Sequence, residues 1–393
     1  MIIGIDAGAL CVKDKRLRVG VFTLLRSLVV GIARIRPRDT IRLCVFENID
    51  LDVTREFSKN VEIRILPRFL FSKVQLSLSF LLDPCDVFFG TGQYVPLGAP
   101  HAIGWIYDLG FLDHPEFYPD SAGQLSTITK SVIFRSEKII TISEFVKKEI
   151  VKHFDVDPKR IHVCYPGVET MRKKFPKFYN HPDAHASSPS KRLGINYREK
   201  FSPRGSNDRE FEIRPYFLFV GAFKPGKNIP FLLRAFSQAV KKGLESDLFL
   251  AGSDRWMSED IEQSIKEKKL SKRVFVKGFV DEGILHSLYA GATATLIPSL
   301  VEGFGFPVVE SYRVGTPVIG SSAGSLPEVI GEAGICLDPT DEEGFARALL
   351  DFEKKEIREK YVKKIQLQLE KFTREKFVKR VSEVIDTETK FKI

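Results

Sequence analysis

The sequence has few cysteines, and they follow no pattern that would hold a metal ion or a disulfide framework. There are 5 among 393 residues, an odd number, with no CxxC pair and mostly apolar neighbours. Such spacing favours reduced thiols in the core of a cytoplasmic protein. The cysteines are Cys11, Cys44, Cys85, Cys164 and Cys336.

Long apolar runs are also missing. No segment approaches the about 20 consecutive apolar residues that a membrane-spanning helix needs. The apolar start from Met1 to Ile5 is interrupted by Asp6 and has no basic region before it, so we expect a first β-strand and no signal peptide. With 43% hydrophobic and 28% charged residues, the chain has enough apolar material for two cores.

The formal net charge of +9 is concentrated in one segment. Residues 171–214 contain 11 Lys and Arg against 5 Asp and Glu, whereas residues 1–170 contain 22 against 20. The segment is rich in Pro, Ser and Asn, which predicts a basic linker or insertion between domains of residues 1–170 and 215–372. No zinc-finger or RNP pattern accompanies the charge, so nucleic-acid binding is not expected.

Short apolar runs alternate with helical stretches on both sides of this linker. Such alternation predicts an α/β protein with one parallel sheet in each half. The predicted strands are residues 2–5, 41–46, 61–66, 86–89, 102–107, 138–142 and 160–165, then 216–220, 248–251, 274–276, 294–297, 317–320 and 335–337.

The stretch SLVEGFGFPVVESYRVGTPVIGSSAGSLPE, residues 299–328, places two carboxylates around a glycine-rich turn that enters a helix. Glycines there allow φ > 0, and the N–H groups of a helix start attract anions such as a diphosphate. Glu310 on the helix could accept both hydroxyls of a ribose, and Glu302 on the loop could accept hydroxyls of a second ring. The alternative is a solvated loop and a helix buried through Phe306, Val308 and Val309.

These residues resemble the E-x7-E signature of retaining glycosyltransferase family 4. Other similar segments are IGIDAGAL, WIYDLGFLDHPEFYP, KIITISEFVKKEI and YFLFVGAFKPGKNIPFLLRAF, so the resemblance covers nearly the whole chain apart from the linker. It implies the GT-B fold, in which two Rossmann-like domains face each other across a cleft. It further implies that residues 1–170 form the acceptor domain, that residues 215–372 bind the sugar nucleotide, and that a helix at about residues 373–393 packs back on the first domain.

The resemblance assigns roles to the residues of the signature. Glu302 would touch the donor sugar, and Glu310 would hold the ribose. The loop and helix start between them would bind the nucleotide, through Gly303, Phe304, Gly305 and Phe306.

A second candidate element is VGAFKPGKN, which follows the first strand of the second half. A strand, a turn at Gly221 and a following helix place Lys227 where an ammonium group can neutralise a diphosphate. Relatives commonly carry an arginine near this lysine. Here Ala222 and Gly226 stand at those positions, and Lys224 is an extra cation that lacks the planar fork of arginine. A plain surface lysine is the alternative for Lys227.

A third element, WIYDL, ends a strand of the first domain, where open α/β sheets bind ligands. Many relatives have a histidine beside the transferred sugar here, whereas this chain has Tyr107, whose phenol does not titrate near neutral pH. Asp108 is a candidate acceptor-side carboxylate, or else it caps the next turn. Gly20 lies where the first loop of the family meets donor phosphate and acceptor.

The sequence gives little support to metal binding. Asp50-Leu51-Asp52 and Asp155-Val156-Asp157 match a short DxD pattern that is common in loops, and we interpret them as solvated acids. The 7 histidines include no HExxH motif and no evident ligand pair, so no metal site is predicted.

The resemblance implies metal-independent transfer of a hexose, with retention, from a nucleotide-diphosphate sugar to a glycan or lipid-linked hydroxyl in polysaccharide assembly. EFVKKEI and KPGKNIPFL favour GDP-mannose as donor, with a UDP-sugar second and no other cofactor. The apolar residues 69–82 and the basic run 13–18 could meet the inner face of a membrane, although a core helix is the alternative for residues 69–82. The rival hypotheses are another GT-B enzyme, such as a phosphorylase or epimerase, and a non-catalytic sugar-nucleotide-binding protein.

Overall fold

The computed structural model describes residues 1–14, 17–18, 20–92, 94–168, 214–252 and 258–386. The chain divides into two compact units, one of Met1–Glu169 with Lys371–Ile393 and one of Thr170–Glu370. Both units are parallel β-sheets with helices, so the predicted α/β fold class is confirmed. The predicted basic linker lies outside the described residues, except for Arg214.

In the described part of the first unit, seven parallel strands form a sheet in the order β3-β2-β1-β4-β5-β6-β7. The strands are β1 (Ile2–Asp6), β2 (Thr40–Val45), β3 (Val61–Ile65), β4 (Val87–Gly90), β5 (Ala102–Ile106), β6 (Lys138–Thr141) and β7 (Ile161–Val163). The helices are α1 (Val21–Ile35), α2 (Leu51–Thr54), α3 (Leu76–Leu82), α4 (Gly110–Asp113), α5 (Ala122–Arg135) and α6 (Glu144–Phe154). Every residue of β5 is buried, as expected for a strand whose two faces are both covered.

Across the described residues of the second unit, six parallel strands run in the order β10-β9-β8-β11-β12-β13. They are β8 (Tyr216–Val220), β9 (Asp247–Ala251), β10 (Val274–Lys277), β11 (Thr295–Ile297), β12 (Val318–Ser321) and β13 (Gly334–Leu337). The helices are α7 (Ile229–Lys241), α8 (Ser258–Glu267), α9 (Glu282–Gly291), α10 (Phe306–Arg313), α11 (Leu326–Ile330), α12 (Glu342–Phe352) and α13 (Lys355–Leu369).

A final helix, α14 (Arg374–Asp386), belongs to the first unit, where it packs on α1. Its buried residues Phe377, Val378, Val381, Val384 and Ile385 recur at helical spacing. A Cβ atom at Gly31 of α1 would lie 2.2 Å from a methyl carbon of Val378, so glycine permits the close approach. At the first residue of α14, the Arg374 N–H donates to the Val168 carbonyl oxygen at 3.1 Å, which places the returning chain beside the segment that follows β7.

The apolar stretch of residues 69–82 forms a short π-helical turn, Phe71–Gln75, followed by α3. Phe71 and Leu76 are buried, whereas Leu81 and Leu82 are each 82% exposed. The stretch is therefore neither a simple core helix nor a fully exposed one, because apolar side chains line both of its sides. Among the described residues, no helix is long and apolar enough to cross a bilayer.

Both sheets have a position where the strand order reverses, between β1 and β4 in one unit and between β8 and β11 in the other. Open α/β sheets bind ligands beyond the carboxyl ends of the strands at such positions. Asp6 ends β1, while the turn with Lys227 follows β8 and the loop with Glu302 follows β11. Within the second unit, the topology thus brings Lys227 and Glu302 to neighbouring strand ends although they lie far apart in the sequence.

Candidate active site

Lys227 and Glu302 form an ion pair at the carboxyl ends of the neighbouring strands β8 and β11. The Lys227 Nζ atom lies 2.6 Å from Oε2 of Glu302, and the side chains are 25% and 14% exposed. The Ser299 hydroxyl also donates to this Oε2 atom, at 3.2 Å. The sequence predicted a phosphate-binding cation and a sugar-binding carboxylate, and the structure places these two groups in direct contact.

Backbone contacts fix the two loops that carry this pair. The Leu300 N–H donates to the Gly226 carbonyl oxygen at 2.8 Å, which ties one loop to the other. The Glu302 carbonyl oxygen accepts from the Ser325 N–H and hydroxyl, each at 3.0 Å. At Gly324, with φ 63°, a Cβ atom would lie 2.4 Å from that same carbonyl oxygen. The position of Glu302 is therefore held by its own backbone as well as by Lys227.

The Lys227 side chain lies close to the glycine turn at the end of β8. Its Cε atom is 3.9 Å from where a Cβ atom of Gly221 would stand, and a Cβ atom at Gly252 would lie 1.8 Å from the Gly221 carbonyl oxygen. These glycines let two strand ends and a lysine share a small space. Lys224 is exposed and immediately precedes the short turn Pro225–Lys227, so the two lysines lie at either end of one turn.

The helix α10 begins directly after Gly305, which has φ 90° and packs so closely that a Cβ atom would lie 2.9 Å from a methyl carbon of Leu326. Pro307 lies in the first turn, and among the described residues no side chain caps this helix start. Phe304 is buried, and its ring meets the partly exposed Phe306 ring edge-on at 5.3 Å. A helix start of this kind presents backbone N–H groups with a positive partial charge.

Glu310 lies on α10, and the Tyr289 hydroxyl donates to its Oε2 atom at 2.8 Å. Burial raises the pKa of the Glu310 carboxyl group, although the residue keeps some exposed surface. Val308 and Val309 are fully buried, so the helix is also the core element that the alternative described. Tyr289 lies on α9, 21 residues before Glu310, and no local sequence motif marks it as a site residue.

In the first unit, the two candidates of WIYDL are engaged with backbone. The Tyr107 hydroxyl donates to the Thr91 carbonyl oxygen at 2.8 Å, and burial raises its pKa far above the usual value. The Gly110 N–H donates to Oδ1 of Asp108 at 3.2 Å, which is the turn-capping alternative. Gly20 has φ 52° and is the residue immediately before α1, with open space where its Cβ atom would be.

Asp6, which was not predicted as a site residue, is a buried carboxylate at the carboxyl end of β1. Burial raises its pKa to about 6, against an opposing hydrogen bond from the Gly8 N–H at 3.1 Å. A Cβ atom at Gly92 would lie 2.8 Å from its Oδ2 atom, so the loop after β4 closes over it. In the sequence, Asp6 is visible as an acid that interrupts an apolar strand, but there it counted only as evidence against a signal peptide.

The interpretation of Asp50 and Asp52 as solvated acids was incomplete. Asp50 pairs with Lys13 at 2.9 Å and with Arg18, and Asp52 pairs with Arg18 at 3.0 Å. Since the sidechain hydrogen bond from Lys13 stabilises the ionised form, the pKa of Asp50 is lowered. In the second pattern, Asp155 and Asp157 are exposed, as expected.

The prediction of no metal site stays a prediction, but His153 lies near two carboxylates that local spacing did not pair with it. Oxygen or nitrogen atoms of Asp113, Glu149 and His153 lie within 4.8 Å of one another. Glu149 is one helical turn before His153, and Asp113 comes from α4. The Lys152 Nζ atom already lies 3.1 Å from Glu149 and 3.4 Å from Asp113, so an ammonium group balances these acids.

Two family models match parts of the chain. Residues 206–368 match the family model of glycosyl transferases group 1, and residues 111–172 match that of glycosyltransferase family 4. Both models describe glycosyltransferases, so the chain is similar to glycosyltransferases over these two regions.

Individual relatives are distant. O-antigen chain mannosyltransferase B of Escherichia coli is 27% identical over 266 residues, which are 67% of this chain and 64% of that protein. The match thus spans a little under two thirds of the length of this curated relative.

Solved structures establish the fold. Sucrose-phosphate synthase of Thermosynechococcus elongatus has a TM-score of 0.73 and 18% identity, covering 99% of this chain and 98% of that one. Anabaena HepE in complex with UDP has a TM-score of 0.68 and 15% identity, covering 98% of this chain and 99% of that one. The chain has the GT-B class of fold that these glycosyltransferase structures share.

Proposed function

We propose that this chain transfers a hexose from a nucleotide-diphosphate sugar to a hydroxyl of a glycan or lipid-linked acceptor. The observation that carries the proposal is the Lys227–Glu302 pair, with an N–O distance of 2.6 Å, on loops tied to each other by backbone hydrogen bonds. The helix start at Gly305 lies on the same loop as Glu302. A cation, a carboxylate and the positive end of a helix are the groups needed to bind a sugar joined to a diphosphate.

The pair suggests an order of events on donor binding. The diphosphate takes the Lys227 ammonium group as its partner, and Glu302 then accepts hydrogen bonds from hydroxyls of the transferred sugar. The bond between the anomeric carbon and the phosphate oxygen breaks, and the acceptor oxygen bonds to the same face of that carbon. The acceptor proton passes to the leaving phosphate. Lys227, Lys224 and the helix start stabilise the charge that grows on the diphosphate, with no metal ion required.

Glu310 would bind the ribose of the donor, with Tyr289 holding its carboxylate in place at 2.8 Å. Gly303, Phe304, Gly305 and Phe306 would form the backbone around the diphosphate. Mannose from GDP-mannose is the first choice of donor, because a relative at 27% identity is named a mannosyltransferase. A UDP-sugar is the second choice, and the UDP bound to Anabaena HepE supports keeping it.

A thermal-shift screen of nucleoside diphosphates and nucleotide sugars tests the donor. A ligand present at about 100 times its Kd adds roughly 2.7 kcal/mol to the stability of the folded state. We expect GDP-mannose and GDP to raise Tm, and transfer to a mannan-type acceptor to follow in a radiolabel assay. If no sugar nucleotide of any base shifts Tm, the proposed donor class is wrong.

A non-catalytic sugar-nucleotide-binding protein is the second candidate, and the backbone-bound Tyr107 hydroxyl favours it. In that case the screen would find a ligand, but neither transfer nor slow hydrolysis of the donor would occur. Hydrolysis or phosphorolysis without transfer would instead favour another GT-B enzyme, such as a phosphorylase or an epimerase.

We also propose that the protein contacts the inner face of a membrane through α3 and the turn before it, and that it reaches its acceptor there. Leu81 and Leu82 are each 82% exposed and Phe69 is 77% exposed, which is typical of a helix that lies in a lipid interface. Lys13 and Arg18 are paired with acids, so they contribute less than the sequence suggested. Flotation with anionic vesicles tests this contact, and Leu81→Asp with Leu82→Asp should abolish it without changing nucleotide binding.

A further inference from the structure

A pocket of about 470 Å³ lies in the first unit, where α6, β7 and α14 meet. Its walls carry five cations and two carboxylates. The cations come from separate stretches of chain: Lys147 on α6, Lys371 just before α14, and Lys376, Lys379 and Arg380 on α14. Residues 1–170, which form most of the unit, contain 22 Lys and Arg against 20 Asp and Glu, so they have no comparable excess of cations.

The pocket has a buried apolar base and exposed charged residues around it. Phe377 is buried at its base, beside Ile161 and the partly exposed Tyr165. The Lys147 Nζ atom donates to the Ile161 carbonyl oxygen at 2.9 Å, which joins α6 to β7. Lys376, Lys379 and Arg380 are exposed on the rim.

The acids on the rim only partly offset this charge. Glu383 pairs with Arg380 at 3.1 Å along the helix. The second carboxylate, Glu144, is exposed at the start of α6. Two acids against five cations leave the pocket positive overall.

A histidine next to the pocket responds to this positive potential. His162 lies on β7 between two residues that line the pocket. Burial, with added repulsion from Arg380, Lys138 and Lys147, lowers its pKa to about 4. The same field that opposes a proton on this ring would attract an anion.

We propose that this pocket binds a phosphate-bearing anion, either a free phosphate ester or the phosphate of a lipid headgroup. Exposed ammonium groups and a guanidinium around a small volume suit a tetrahedral dianion, and the apolar floor suits the organic part joined to it. The site belongs to the unit that does not contain Lys227 and Glu302, and it does not depend on the proposed transferase activity.

Pyrophosphate is the probe for calorimetry, and all measurements are made in a Lys227→Gln background so that the candidate active site contributes little. The test variant is Lys376→Gln with Lys379→Gln, and the control is Lys130→Gln with Lys148→Gln, which removes two exposed lysines outside the pocket. We expect Kd to rise about 10-fold in the test variant and less than about 2-fold in the control, since each exposed charge contributes a modest amount. Equal Tm values show that both variants fold.

Flotation with phosphatidylglycerol vesicles distinguishes the two sources of phosphate. Loss of pyrophosphate binding alone in the test variant assigns the pocket to a free phosphate ester. Loss of vesicle binding, compared with the control variant, assigns it to a lipid headgroup. If the test and control variants agree in both measurements, the pocket is not a phosphate site and the proposal is wrong.

Discussion

Replacing Glu302 by glutamine should tighten the binding of a nucleoside diphosphate while slowing transfer. In the free chain the Lys227 ammonium group is 2.6 Å from Glu302, so a diphosphate must compete with that carboxylate for the cation. Exposed ion pairs contribute about 0.2–1 kcal/mol, and this pair, which is partly shielded from water, is expected near the upper end of about 1 kcal/mol. Removing the Glu302 carboxylate should therefore tighten diphosphate binding by up to about 5-fold.

The same change should lower kcat/KM, because the amide cannot offer an ionised acceptor to the sugar hydroxyls. Loss of one charge-assisted hydrogen bond of about 1.5–3 kcal/mol corresponds to a rate about 10- to 150-fold lower. Lys227→Met should weaken binding of the diphosphate by a similar factor, about 10- to 150-fold. In that background, Glu302→Gln should have no further effect on affinity, since no cation remains to compete for.

Calorimetry with GDP, or with UDP if the screen selects it, measures all four members of this cycle. Arg234→Gln and Glu342→Gln are the matched controls, because these residues form a partly exposed ion pair in the same unit. Neither control should change Kd. If Glu302→Gln weakens the diphosphate as much as Lys227→Met does, the competition does not exist, and the loop from Glu302 is a nucleotide clamp only.

Three further predictions follow from the same residues. Glu310→Gln should weaken nucleotide binding by about 10-fold or more. In the unchanged chain, nucleotide affinity should fall at low pH, because protonation of the Glu310 carboxyl group, whose pKa is raised, removes its ionised acceptor. The variant should lack this fall, and Kd measured against pH tests it. Transfer should persist in excess EDTA, and a loss restored by Mg²⁺ or Mn²⁺ would contradict the role given to Lys227. Asp6 binds a proton in the folded chain up to a pKa of about 6, against 3.8 unfolded, so its contribution to stability should fall by up to about 3 kcal/mol as pH rises through that window. Thermal unfolding of Asp6→Asn should lack this fall, and an identical pH dependence in both chains would contradict it.

Local sequence predicted the strands well because buried parallel strands are continuous apolar runs bounded by turn residues. The segment at residues 216–220 is an example, and the structure gives β8 the same bounds. Boundaries differ by a residue where the chain leaves the sheet gradually, as at β4, which begins at Val87 and ends at Gly90. Local spacing also located the helix start after Gly305, since glycine and proline restrict the backbone in a recognisable way.

Contacts between distant segments could not be predicted in this way. Lys227 and Glu302 are 75 residues apart, and the contact between them depends on β8 lying beside β11, which no local pattern specifies. The bond from Tyr289 to Glu310 depends in the same way on how α9 packs against α10. The Asp6 carboxylate was visible, but its burial was not, because the loop that covers it follows β4.

The backbone contacts around Glu302 decide how variants of this site can be interpreted. The Leu300 N–H binds the Gly226 carbonyl oxygen, and Ser325 binds the Glu302 carbonyl oxygen twice, so main-chain groups hold both loops. Glutamine or methionine at the two paired positions removes a charge without removing any of these bonds. The loops therefore keep their geometry in such variants, and a change in affinity or rate reports on the chemistry of the side chains.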